Sequence, residues 1–155
     1  MSDICTINKM GLFSFTHKPE PERVVETSLG PFTLAYSKDN RNIWTNRTGR
    51  LAMSVRGTEF QPDRAQLEFL ENIHKEILDL NDKISNKFIE QFKESDMDVD
   101  FSKWQERFKL EAVQVLHVHG DEAHWNITFE DLKEPYAQFT FTVEGDNLTD
   151  FYVDK

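Results

Sequence analysis

Between Pro62 and Glu94 the chain reads PDRAQLEFLENIHKEILDLNDKISNKFIEQFKE, and Leu70, Ile73, Ile77, Leu80, Ile84, Phe88 and Phe92 recur in it at steps of three and four. That spacing lines one face of an α-helix with apolar side chains. A helix with one oily stripe does not stand alone in water, so the rest of the chain must supply a matching apolar surface. Short alternating segments on both sides read as strands, and a sheet with one apolar face is the expected partner. Pro62 suits the first helical turn, and Asp63 followed by Gln66 gives a capping-box pattern for the start. Leu80-Asn81-Asp82 places two poor helix formers together, so a kink or break is expected near Asn81.

A chain of 155 residues is long enough for one domain, with a core that buries roughly 70% of the surface its unfolded form exposes. Thirteen Phe and three Trp give such a core its bulk. No apolar run approaches the ~20 residues that span a bilayer. The opening MSDICTINKMGLFSF has no basic region followed by an apolar stretch and a small-residue cleavage site, so the expected location is the cytoplasm. Cys5 is the sole cysteine, which leaves no internal disulfide or thiolate zinc cluster and suits a reducing compartment. The glycosylation-type triplets at Asn46, Asn126 and Asn147 matter only in a secreted eukaryotic protein and read as accidental.

The formal charge of −10 is unevenly spread. Residues 1–62 carry eight bases and six acids, 63–100 five and eleven, 101–120 three and two, and 121–155 two and nine. A field of that sign repels nucleic acid and steers cationic partners toward the chain, so the partner expected is a basic protein. Acid in excess also serves solubility alone.

Taken in order, residues 1–22 are an N-terminal arm or edge strand, with the apolar patch Gly11 to Phe15 and the extended Lys18-Pro19-Glu20-Pro21-Glu22; residues 23–155 read as one α+β domain. Arg23 to Arg56 alternates with period two and reads as a meander of three or four short antiparallel strands. Ser102 with Gln105 repeats the capping-box signal for a short helix that presents Trp104 and Phe108 to the core. Further strands are expected at about 108–118, 122–130, 136–144 and 148–154. A three-residue loop at 145–147 sets Phe141 opposite Phe151 and Phe139 opposite Val153. The fold expected is α+β: a mostly antiparallel sheet of six to eight strands packed on one long amphipathic helix, with two smaller sheets clasping the helix as the other arrangement.

The dipeptide Gly120-Asp121 suits a two-residue hairpin, which pairs His119 with Glu122, Val118 with Ala123, His117 with His124 and Leu116 with Trp125. Leu116, Val118, Ala123, Trp125, Ile127 and Phe129 then face the core. His117, His119, Glu122, His124 and Asn126 share the other face. Three imidazoles and a carboxylate within cross-strand reach can bind zinc, so a metal-binding protein or metal-dependent enzyme using His117, His119 and His124 is one alternative. An outer sheet face is ordinarily polar, and the leading expectation is a solvated or partner-contacting face with no metal and no cofactor. Asp96-Met97-Asp98-Val99-Asp100 resembles half a calcium loop, but Phe101 stands where glycine must turn and Arg107 where a glutamate must close the shell. No Gly-x-Ser-x-Gly, phosphate-binding glycine loop or His-Glu-x-x-His occurs, Cys5 has no basic or histidine neighbour, and His74 falls beside the helix stripe. Tyr152 lies opposite in face to Phe151 and Val153, near Thr140, Thr142 and Asp150, as an aromatic suited to an interface.

Leu29-Gly30-Pro31-Phe32, a turn-rich strand pair with Trp44 and Gly49, a long helix from Asp63, and then Trp104, Phe108 and Leu110 leading into C-terminal strands give a layout over residues 23–154. In that layout the chain resembles a group of small bacterial α+β proteins of the toxin-immunity type. The resemblance implies a non-enzymatic inhibitor that neutralises a basic toxin or effector, and it carries over no catalytic residue. Glu122, Glu130, Asp131, Glu134, Asp150 and Tyr152 are the expected partner-binding residues. A structural subunit of a larger assembly is the remaining alternative.

Overall fold

Alternation of apolar and polar side chains carries most of the chain into strands. The computed structural model describes residues 20–93 and 103–155. In it eight strands lie side by side in sequence order in one sheet. They are β1 (Val24–Thr27), β2 (Gly30–Lys38), β3 (Arg41–Asn46), β4 (Ala52–Gly57), β5 (Phe108–His119), β6 (Glu122–Asp131), β7 (Gln138–Glu144) and β8 (Asn147–Asp154). Every neighbouring pair is antiparallel except β4 with β5, which run parallel through Ala52–Ser54 and Ala112–Gln114. A parallel pair needs a long crossover. The helices α1 (Arg64–Glu71), α2 (Ile73–Asp79), α3 (Asn81–Lys93) and α4 (Trp104–Arg107) lie in it and join one four-strand meander to the next.

This corrects the expected α+β layout of a sheet on one long helix. The described residues are predominantly β, 50% strand and 26% helical, and their helices are short. The stretch from Arg64 to Lys93 is divided at two residues. At Asn72 the backbone leaves helical geometry (φ −103, ψ 12), and its side-chain amide donates to the Glu68 carbonyl at 3.1 Å, the kind of local bond by which Asn competes with helix. At Leu80 the N–H is shared between the carbonyls of Glu76 (3.3 Å) and Ile77 (3.2 Å), which tightens and ends α2. The break near Asn81 was expected from the sequence; the one at Asn72 was not. The stripe survives both, with Leu70, Ile73, Leu80, Ile84, Phe88 and Phe92 buried and Ile77 half-buried against the same cluster.

The start of α1 is half the expected capping box. Asp63 accepts the Gln66 N–H at 3.0 Å, but the Gln66 side chain turns away and accepts the Arg56 N–H at 2.8 Å, tying α1 to β4. Gly57 sits between them, and a Cβ there would stand 2.3 Å from the Gln61 carbonyl oxygen, so only glycine fits this close approach.

Phe88 is the hub of the core. Its ring stacks on Phe108 (centroids 4.1 Å, planes 7° apart) and meets Phe129, Phe139 and Phe141 edge-on at 6.0, 5.7 and 5.2 Å. Offset and edge contacts of this kind add to the burial of each ring. Val113, Val115, Trp125, Ile127 and Val143 extend the same apolar face of the sheet, and Phe32, Trp44 and Val55 continue it across the first meander.

The C-terminal hairpin has the expected register by a different route. Phe141 opposes Phe151 and Phe139 opposes Val153, yet Glu144 pairs with Asn147, so the loop has two residues rather than three. The difference is taken up by a bulge at Thr149, because Val143 pairs with Leu148 and Thr142 with Asp150. A positive φ of 60° at Gly145, the first loop position, is the pattern of a type II′ turn, and Gly120 repeats it.

Candidate functional site

The helices cover one face of the sheet, and alternation leaves the other to polar side chains. Across β5 to β7 these form a hydrogen-bonded ladder: Asn126 Nδ2 donates to Gln114 Oε1 (3.3 Å), Thr142 Oγ1 donates to Asn126 Oδ1 (3.0 Å), and the hydroxyls of Thr128 and Thr140 lie 2.9 Å apart. Thr140, whose cross-strand partner is Tyr152, is 5% exposed although it belongs to this outer face. Tyr152 lines a hollow of about 190 Å³ together with Ala52, Ala112 and the ladder residues Gln114, Asn126, Thr128 and Thr140.

The hairpin between β5 and β6 pairs His119 with Glu122, Val118 with Ala123 and His117 with His124, as expected. Leu116 departs from expectation. A bulge at this residue sets Val115 opposite Trp125, and Val113 and Val115 take the buried positions that continued alternation from Val118 would give Leu116. The three histidines do share the outer face, at the rim of a hollow of about 790 Å³ that Glu122, Glu144 and Asp146 also line. His117 and His119 stack nearly parallel with ring centroids 6.0 Å apart, and His124 Nε2 lies 3.4 Å from Glu144 Oε1. Among the described residues no group of three His, Cys, Asp or Glu side chains is placed to hold a metal ion, so the imidazoles are neighbours without forming a ligand set. The Asp96–Asp100 stretch, Cys5 and the N-terminal apolar patch lie outside the described residues.

Of the six expected partner-binding residues, five are at least partly accessible. Glu122 is exposed at the hairpin tip, Glu130 is half-buried at the end of β6 beside Lys109 and Gln138, Glu134 is exposed in the β6–β7 loop, and Asp150 and Tyr152 are exposed on β8. Asp150 also accepts the Phe151 N–H at 2.8 Å and so occupies one backbone donor of the edge strand.

Asp131 does not belong with them. It is 1% exposed and meets Arg107, itself 9% exposed, in a two-pronged ion pair: Nε to Oδ1 at 3.0 Å and Nη2 to Oδ2 at 2.7 Å. The guanidinium is also set against the rings of Phe92 (4.9 Å) and Phe108 (5.2 Å). Burial pushes the Asp131 carboxyl upward, but hydrogen bonds from Arg107 and the Lys133 N–H, the Arg107 charge and the Glu134 N–H outweigh it. The carboxyl is held below the ordinary carboxylate range. Asp131 is therefore an internal anchor, which corrects its assignment to the partner-binding surface. Sequence held the signal: Ala123, Trp125, Ile127 and Phe129 all point inward, and the next step of two along β6 is Asp131.

The anchor shapes the β6–β7 loop. Asp131 Oδ1 accepts the Lys133 N–H at 2.9 Å, the Leu132 N–H donates to the Arg107 carbonyl at 2.9 Å, the Ala137 N–H to the Glu134 carbonyl at 2.8 Å, and the Asp131 N–H to the Ala137 carbonyl at 3.2 Å. From this closed loop Leu132 and Tyr136 stand out, 53% and 90% exposed. Sequence reasoning passed over both, since a segment reading Glu130-Asp131-Leu132-Lys133-Glu134-Pro135-Tyr136 looks like an acidic connection and nothing more.

No helix among the described residues is long and apolar enough to cross a membrane. No family model, no curated protein and no solved structure matches the chain.

Proposed function

We propose that this chain is a non-enzymatic binding protein that captures a cationic protein through its acid-rich half, β5 to β8, and that it works in the cytoplasm as an immunity-type inhibitor masking the basic surface of a toxin or effector. One observation carries the reading. Residues 121–155 hold nine acidic side chains against two basic ones, and all of the nine except Asp131 lie at least partly at the surface. Those charges sit on the hairpin tips, the outer face and the β6–β7 loop, together with the exposed aromatics Tyr152 and Tyr136. Clustered charge of one sign speeds the encounter with an oppositely charged protein, and aromatic anchors slow its departure.

The test is the partner's charge and kinetics. Cross-linking with mass spectrometry in the source cell identifies the bound protein, and its association is then timed at low and high salt. The reading expects a basic partner that associates more slowly as salt screens the two surfaces. An acidic partner, or a rate that ignores salt, would place the interface elsewhere and reduce the acid to a solubility feature.

A further inference from the structure

We propose that the β6–β7 loop is the recognition tip of that interface. Tyr136, together with Leu132 of the same loop, inserts into an apolar cleft rimmed by basic groups on the partner protein, and the buried Arg107–Asp131 pair exists to hold the loop in its bound shape. The inference rests on the reading of the chain as a binder of a cationic protein. Single exposed apolar residues are ordinary on a protein surface. Here two large ones stand out of one short loop, Tyr136 90% and Leu132 53% exposed, while Ala137 at its end is 2% exposed.

Buried charge explains why the loop is more than a connection. An ion pair this deep is commonly no more stabilising than apolar residues of the same volume, so stability alone gives no reason to keep it. What the pair does locally is bind the loop. Asp131 Oδ1 holds both the Arg107 side chain and the Lys133 N–H, and the Arg107 carbonyl takes the Leu132 N–H. A loop ordered in advance loses less freedom on binding, and tyrosine supplies wide contact area with few rotatable bonds. Glu130 at the base of the loop is offset by Lys109 beside it, so the match to a basic rim rests on the surrounding segment 121–155, with its nine acids against two bases.

A photoreactive phenylalanine analogue is placed in the full chain at position 136, at 152 on the outer face, and at the exposed helical position 78, and each version is irradiated in the source cell. The inference expects an adduct with a basic protein from position 136. With that protein purified, Tyr136→Ala weakens binding by about tenfold or more, Tyr136→Phe retains it, and Asp131→Asn weakens it while the loop amides of Lys133 and Ala137 lose exchange protection. Tyr136→Ala changes a nearly fully exposed side chain, so its result does not depend on refolding. Adducts with a basic protein from 152 but not 136, or a Tyr136→Ala variant that binds as well as the parent, would overturn the loop's role and leave the proposed function standing, whereas an adduct from 78 alone would place the interface on the helices and overturn both. No basic adduct from any position would overturn both.

Discussion

Replacing Arg107 by Met gives the sharpest stability test, because it removes one half of the buried pair and little volume. The Asp131 carboxylate is left 1% exposed with no cation. Breaking a buried pair from one side costs about 3–5 kcal/mol. The Lys133 and Glu134 N–H groups still reach the carboxylate, so the lower end, about 3 kcal/mol, is expected. For a chain of this length each kcal/mol moves Tm by about 2–4 °C, so a fall of about 6–12 °C should appear on heating. Urea denaturation of Arg107→Met, Asp131→Leu and the double variant closes a cycle in which the double recovers most of the loss, since an apolar pair replaces a charged one. The acid limb carries an independent sign. Because the folded carboxyl lies below its ordinary value, its stabilisation is present above the unfolded value of about 4 and is lost as pH falls through the depressed folded value. The gap between parent and Arg107→Met must therefore narrow as pH falls, starting where the variant's carboxyl, pushed up by burial without Arg107, takes up its proton and ending below the parent's depressed value. A loss under about 1 kcal/mol, the yield of a surface pair, would refute the burial argument.

Phe88→Ala should cost about 3–5 kcal/mol in denaturant unfolding, as it empties the site where rings from α3, β5, β6 and β7 meet; a loss near that of a surface change would mean the helices are not docked as described. Gly57→Ala should destabilise by about 1–3 kcal/mol because the new Cβ strikes a backbone oxygen rather than a mobile side chain, and an unchanged Tm would contradict the tight β4-to-α1 passage. Reversing Glu122, Glu130 and Glu134 to Lys should leave Tm nearly unchanged and slow association with the cationic partner at low salt, whereas Tyr152→Ala should speed dissociation. Adding Asp131→Lys to that set should unfold the protein.

What the sequence made legible was local pairing and the identity of the buried positions. The stripe from Leu70 to Phe92 and the Gly120-Asp121 hairpin follow from period and turn chemistry, which act between near neighbours, and the Phe139 and Phe141 register from matching apolar positions across two strands, although the loop that sets it was expected one residue longer. What it hid was anything set by a single inserted residue or a distant partner. Bulges at Leu116 and Thr149 shift the count by one, and period-two reasoning cannot see them. Asn72 ends a helix whose apolar stripe runs straight through it, so the hydrophobic pattern shows no interruption there. Arg107 and Asp131 are 24 residues apart, and only the packing of α4 against the end of β6 brings them together. On the candidate site, the outer-face residues were found by alternation, while Tyr136 and Leu132 were missed because exposure within a loop leaves no periodic signature.

The claim that the acid-rich half is the binding surface can be tested without the natural partner. A lysine-rich peptide is titrated into the isotope-labelled protein, and the amide resonances are followed at low and high salt. The account predicts shifts concentrated at Asp121 and Glu122, along the outer face of β6 to β8, and in the β6–β7 loop around Glu134 and Tyr136, all fading as salt rises. The helices offer a built-in control, since Glu68, Glu71, Glu76 and Asp79 are acidic too. Shifts centred on α1 and α2, with β6 to β8 silent, would contradict the account.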